Sequence, residues 1–182
     1  IEGAGTAVSS VHAAQAFEQG CEGNYLPACH EFAVMLLDGN GLDSDEGRAA
    51  ELLTVSCEAE LYDSCFVLGG LYAEARGVWQ DMELSLSIYN LACDGGHADS
   101  CLHLAHLWDE GDSAVYDGRG GSEAVSRNHR MAAELYERAC AAESYVACFN
   151  VGSMYELGEG VRRSSSRAAS FYEQSCDGNF PD

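Results

Sequence analysis

The sequence contains no lysine: all nine basic residues are arginine, set against 30 acidic residues, for a formal net charge of −21. A chain this acidic repels the phosphate backbone, which argues against nucleic acid as a partner and leaves basic protein surfaces or cations as the attractions. The acids serve equally well as a solvated face that keeps the protein in solution. Only two prolines occur in 182 residues, so long helices are permitted. No run of 18 apolar residues appears, so no segment reads as a membrane-crossing helix. No glycine-rich phosphate loop follows a strand, and no strand is predicted. A serine–lysine acyl enzyme is excluded within this chain, because it has no lysine to act as base. Apolar residues make up 47% of the chain, enough to bury a substantial core.

Cysteine is plentiful and evenly spaced, at 21, 29, 57, 65, 93, 101, 140, 148 and 176. Four pairs share one internal spacing, since 29−21, 65−57, 101−93 and 148−140 all equal 8. The first members recur every 36 residues (57−21, 93−57 and 176−140), with one longer step of 140−93 = 47, an insertion of 11. Such regularity means an internal repeat. Other residues keep the register. Phe17, Leu53, Tyr89, Tyr136 and Tyr172 each stand four before a first-member cysteine, and Ala50, Ala133 and Ala169 stand seven before. A Gly-x-Gly-apolar turn appears at Gly39–Leu42 and Gly158–Val161, with a weaker form at Ala75–Val78.

Helices follow from this register. After each second cysteine, apolar or small residues fall at +3, +4, +6 and +7, as in Phe32, Ala33, Met35 and Leu36, which is helical spacing. The +4 residue is always Ala or Gly (Ala33, Gly69, Ala105, Gly152), small enough for a neighbouring helix to approach closely. The predicted helices span 11–21, 26–37, 46–58, 62–74, 82–94, 98–109, 129–141, 145–157 and 165–177. Each repeat is then a helical hairpin, and a stack of hairpins buries what one cannot. The segment 111–128, rich in glycine and polar residues, is expected to leave the stack as an exposed loop.

Each cysteine pair joins the end of one helix to the first turn of the next, within reach of a disulfide. The pairs are therefore Cys21–Cys29, Cys57–Cys65, Cys93–Cys101 and Cys140–Cys148, each closing a short ring worth about 2.5 kcal/mol on the chain-entropy model. Zinc ligation and reduced core cysteines are the alternatives. Disulfides imply an oxidising compartment: the cell exterior, the periplasm, an organelle lumen or the mitochondrial intermembrane space.

At Ala132–Cys140 and Cys148–Tyr155 the sequence resembles the cysteine-rich branch of the Sel-like repeat (SLR) family, relatives of tetratricopeptide repeats. The resemblance covers nearly the whole chain outside the insertion. It implies an all-α, right-handed α-solenoid of disulfide-stapled helical hairpins whose concave side binds partners. Family members act as adaptors and assembly factors. One branch comprises secreted bacterial cysteine-rich proteins, some binding β-lactams, and another a mitochondrial cytochrome-oxidase assembly factor. The chain departs from the family in its long fourth repeat and in lacking the lysine before the repeat alanine, which is here Arg48, Leu84, Met131 and Arg167. Because the family's binding residues vary between members, none carries over to a numbered position.

One candidate cluster stands out: His97, Cys101, His103, His106, Asp109 and Glu110. His103 and His106 are three apart, share a helical face, and are a weak candidate pair for a metal or heme iron; two exposed histidines without a ligand are the alternative. Their register positions, filled elsewhere by Glu31, Val67 and Asn150, form a variable non-core strip where a solenoid places binding residues. His97, Asp99 and Ser100 adjoin, but adjacency is not the geometry of a catalytic triad. The expected function is therefore a non-catalytic interaction scaffold or assembly subunit without cofactor, binding a protein partner with a basic surface inside a larger assembly. The alternative is a heme- or β-lactam-binding repeat protein with possible hydrolase activity. Both ends are expected to lie inside repeats. Gly3 and Gly5 fall 36 before Gly39 and Gly41, so residues 1–5 read as the tail of a preceding helix and its turn. The partner of Cys176 would lie two residues past Asp182.

Overall fold

The computed structural model describes residues 4–111 and 127–177. Among them are nine helices and no strand: α1 (Ala4–Glu22), α2 (Leu26–Asp38), α3 (Glu46–Glu58), α4 (Tyr62–Glu74), α5 (Met82–Asp94), α6 (Ala98–Glu110), α7 (His129–Ala141), α8 (Tyr145–Leu157) and α9 (Ser165–Asp177). The fold class is all-α, of the α-solenoid type built from repeated hairpins. The chain forms two compact units, Ile1–Ile88 and Tyr89–Asp182, with the boundary inside α5. Most of the segment expected to leave the stack, 112–126, lies outside the described residues.

Each unit is a stack of hairpins closed by the same inner residues. In the first, Leu53, Leu36, Cys65 and the pair Ala49 and Ala50 are buried. In the second, Tyr136, Ala132 and Ala133 take the places of Leu53, Ala49 and Ala50, and Leu104 and Val151 take those of the buried Phe32 and Leu68. Burying a Leu or Val side chain contributes roughly 1.5–3 kcal/mol, so the repeated large apolar position is the main source of cohesion. The small +4 residues Ala33, Gly69, Ala105 and Gly152 are all buried. At Gly152 an added Cβ would come within 2.8 Å of the Tyr172 ring. Close approach is therefore the reason for the small residue. In the first unit Ser85 adds a polar tie, its hydroxyl donating to the Gly69 carbonyl at 2.7 Å.

Four disulfides join consecutive helices: Cys21–Cys29, Cys57–Cys65, Cys93–Cys101 and Cys140–Cys148, with sulfur separations of 2.07, 2.09, 2.03 and 2.01 Å. Intramolecular pairs of this kind belong to a protein of an oxidising compartment. Cys176, on α9, is a free, exposed thiol at the register position of a first-member cysteine.

One expectation is corrected. Helix α1 begins at Ala4, not near residue 11, and Gly5 lies inside the helix and not in a turn. The stretch Ala4–Ser10 holds no proline and a single glycine. Continuing the helix pairs backbone groups that a turn would leave without partners.

Candidate functional site

Two kinds of connection position the exposed side chains. Inside each hairpin, the loop after the first cysteine places one residue in the left-handed region: Asn24, Glu60, Gly96 and Glu143, with φ of 61°, 64°, 90° and 68°. The residue after it is the N-cap of the next helix, and two of these, His97 and Ser144, cap that helix with their side chains. His97 Nδ1 lies 2.9 Å from the Ser100 hydroxyl and accepts from the Ser100 N–H at 3.2 Å. Ser100 is fully buried, so this His–Ser pair is a helix cap and presents no nucleophile to solvent.

Between hairpins, the turn is held by three devices in one register. Cap residues Gly39, Ala75, Gly111 and Gly158 have φ of 64°, 58°, 69° and 82°, and their N–H groups donate to Met35, Leu71, Leu107 and Met154. A second glycine follows at Gly41, Gly77 and Gly160, also left-handed, where any Cβ would collide with the backbone of Ser10, Glu46 or His129. Finally, the N-cap residue of the next helix donates its N–H back to a fixed carbonyl: Asp45 to Leu36, Asp81 to Tyr72 and Ser164 to Tyr155, at 3.1, 3.1 and 2.9 Å. Asn128 makes the equivalent bond to Trp108 at 2.7 Å. The separations are 45−36 = 9, 81−72 = 9 and 164−155 = 9, against 128−108 = 20, which is 9 plus the 11 inserted residues. The long connection is thus closed at its base by the bond that closes the short ones. His129 Nδ1 to Asp109 Oδ1 at 2.9 Å and the Arg127 guanidinium to the Glu110 carbonyl at 3.2 Å add two further ties there.

The turns differ in what they expose. Asp43, Trp79 and Arg162 occupy the same register position, and Trp79 is 94% exposed. These N-caps and turn tips escaped the reading of the sequence. The signal was present, because Asp45, Asp81, Asn128 and Ser164 are all capping residue types in one register.

The six-residue cluster is dispersed by the fold. Cys101 is consumed by its disulfide and His97 by its cap. His103 and His106 are half-buried, not exposed. The His103 ring packs on Tyr89, centroids 4.4 Å apart, and His106 Nδ1 lies 3.0 Å from the Tyr136 hydroxyl. Burial, with a smaller push from neighbouring His106, lowers the His103 pKa below the usual imidazole value. Burial, reinforced by Asp109 and Glu110, holds the Tyr136 phenol protonated far above the usual range. The strip residue His106 is therefore a tie between α6 and α7 through Tyr136. Among the described residues, no group of three or more His, Cys, Asp or Glu converges as a metal-binding set. Of the strip, Glu31 is exposed and Val67 is half-buried.

Ion pairs link equivalent places in different repeats. Arg48 reaches Glu18 at 2.9 Å and Arg167 reaches Glu137 at 3.2 Å. The middle repeats carry Leu84 and Met131 where these arginines stand, and both are exposed.

Sequence and structure comparisons agree with this architecture. The Sel1 repeat profile matches residues 26–60, 63–97, 113–144 and 146–180. No curated protein matches the chain. The crystal structure of c5321, a protective antigen present in uropathogenic Escherichia coli strains and displaying an SLR fold, is similar at a TM-score of 0.75 and 20% identity, over 93% of this chain and 34% of that one. A Sel1 repeat protein from Oxalobacter formigenes is similar at 0.68 and 22%, over 85% of this chain and 59% of that one. Helicobacter pylori cysteine rich protein B is similar at 0.52 and 20%, over 76% of this chain and 91% of that one. The chain thus spans about a third of the first structure and three-fifths of the second. With four matched repeats covering most of its length and the same fold in these structures, the chain belongs to the Sel1 repeat family.

Proposed function

We propose that the chain is a non-catalytic interaction scaffold that holds a protein partner with a basic surface, as part of a larger assembly. Sel1 repeats mediate protein–protein interaction, and that supports the general reading. The observation that carries it is the division of labour within each repeat. Buried positions such as Ala49, Ala132 and Leu104 are spent on hairpin packing. Exposed positions change chemistry from copy to copy, as Asp43, Trp79 and Arg162 do in the turns. Exposed tryptophan is costly to leave in water and is enriched at binding hot spots.

The basic character of the partner is argued from the net charge of −21. Complementary charge speeds association and is screened over about 8 Å at physiological salt. On the strip, Glu31, Val67 and Asn150 are the positions to test, since His106 is already tied to Tyr136. The experiment is a pull-down with the whole chain, followed by titration of the captured partner at low and high salt. Affinity should fall as salt rises, and Glu31→Arg or Trp79→Ala should weaken it with the fold intact. Affinity flat across salt removes the basic partner and leaves the acids as a solvated face.

A further inference from the structure

The turn Gly158–Ser164 gathers positive charge that the rest of the chain lacks. Arg162, Arg163 and Arg167 are three of only nine arginines and lie within six residues. With Tyr155, Val161 and Ser164 they line a cleft of about 580 Å3. Arg167 is ordered on two sides, its guanidinium 4.2 Å from the centre of the Tyr155 ring and 3.2 Å from Glu137 Oε1. Tyr155 is itself fixed by donating to the same Glu137 oxygen at 2.6 Å. Arg162 and Arg163 are exposed, and among the described residues neither forms an ion pair.

The turn does not need these arginines. Its equivalents read Leu42-Asp43-Ser44-Asp45 and Val78-Trp79-Gln80-Asp81, and they close with the same glycine and the same backbone bond. Arg162, Arg163 and Arg167 line one cleft, so like charges that repel one another are gathered there, and among the described residues no acid forms an ion pair with the first two. Glu137 offsets Arg167 alone. An added oxyanion would relieve that repulsion and meet donors in the fork geometry that suits planar or tetrahedral oxygens.

We propose that this cleft is an oxyanion-binding site, taking a phosphate or carboxylate group between Arg162, Arg163 and the positioned Arg167. It has the opposite sign to the partner surface proposed above and stands or falls separately from it. The whole chain is titrated by calorimetry with inorganic phosphate and, in a second arm, with succinate, both at constant ionic strength. Saturable binding in the millimolar range is expected, the order of affinity for exposed guanidiniums. R162Q/R163Q should weaken it about tenfold, while Arg130→Gln, a residue already paired with Glu134, should leave it unchanged. R162K/R163K keeps the charge and loses the fork, so it should fall between. The tighter arm identifies the ligand's group. Absence of saturable binding in both arms, or undiminished binding in a folded R162Q/R163Q chain, overturns the site.

Discussion

Loops inside the hairpins and turns between them both reverse the direction of a helix, but by different means. The loops are covalent: each is spanned by a disulfide and tolerates Glu60 and Glu143 in the left-handed region, a strain of about 1 kcal/mol apiece. The turns are held by glycine, one backbone bond and an N-cap, and glycine there is imposed by contact with the helix start beside it. The lesson is that the restraint decides where variation is allowed. All four loops have the same length, whereas the turns carry acid, tryptophan, arginine and the insertion of 11 residues. Variation in length is confined to the connections that no covalent bond fixes.

Replacing the second turn glycine tests this most severely. Gly77→Ala and Gly160→Ala each put a Cβ into backbone at positive φ, and should cost about 3 kcal/mol, strain and overpacking together. Gly96→Ala in a loop has φ +90° but nothing within 4 Å of the new Cβ. It should cost about 1 kcal/mol, strain alone. Equal losses in urea denaturation would mean that contact is not what demands glycine in the turns.

Opening a loop is next in size. The ring closed by Cys93–Cys101 spans 9 residues, 101−93+1, so the Cys93→Ser/Cys101→Ser pair should lose about 2.5 kcal/mol on the chain-entropy model. A urea midpoint unmoved by the double change, or by a reductant, would make the staples redundant with the packing of the buried Ala92 and Leu104 beside them.

The turns also allow a comparison among themselves. Asn128→Ala, at the base of the insertion, and Ser164→Ala, in an ordinary turn, remove equivalent caps. Each should cost about 1 kcal/mol. Deleting 11 residues between Gly111 and Arg127 should change stability by less than about 1 kcal/mol, the small difference in loop closure. A much larger loss from the deletion would mean that the inserted residues are packed and that the bond from Asn128 to Trp108 does not isolate them.

The repeat was legible because its determinants are local and periodic. The cysteine spacing, the buried alanines and the small +4 residues repeat within a fixed register, and register alone places helices. What lay beyond reach depends on how helices pack. The strip containing His103 and His106 was assigned to the surface by counting from Cys101. Packing turns those rings onto Tyr89 and Tyr136, residues 14 and 30 positions away by 103−89 and 136−106. No spacing rule within one helix reports such a contact. The caps Asp45, Asp81, Asn128 and Ser164 were legible but are less conspicuous than cysteine, since each copy uses a different or commoner residue. The start of α1 was misplaced because the glycines at 3 and 5 mimic the turn pattern by spacing alone.

The smallest effect expected comes from a residue of neither connection. His103 lies half-buried between them, against Tyr89, and its pKa is lowered chiefly by burial and secondarily by His106. The folded state therefore binds a proton there less readily than the unfolded chain, where an imidazole titrates near about 6.5. Stability contributed by neutral His103 is present above that pH. It is lost as pH falls below it, because protonation then draws the chain toward the unfolded state. A disulfide has no proton to gain in this range, so the covalent loops cannot reproduce such a dependence. The measurement is the shift of the urea midpoint between pH 7.5 and 5.5, in wild type and in His103→Gln. Wild type should lose more stability than the variant on acidification. Equal losses in both would assign the acid sensitivity elsewhere, and would show that the packing between loop and turn is as indifferent to pH as the staple beside it.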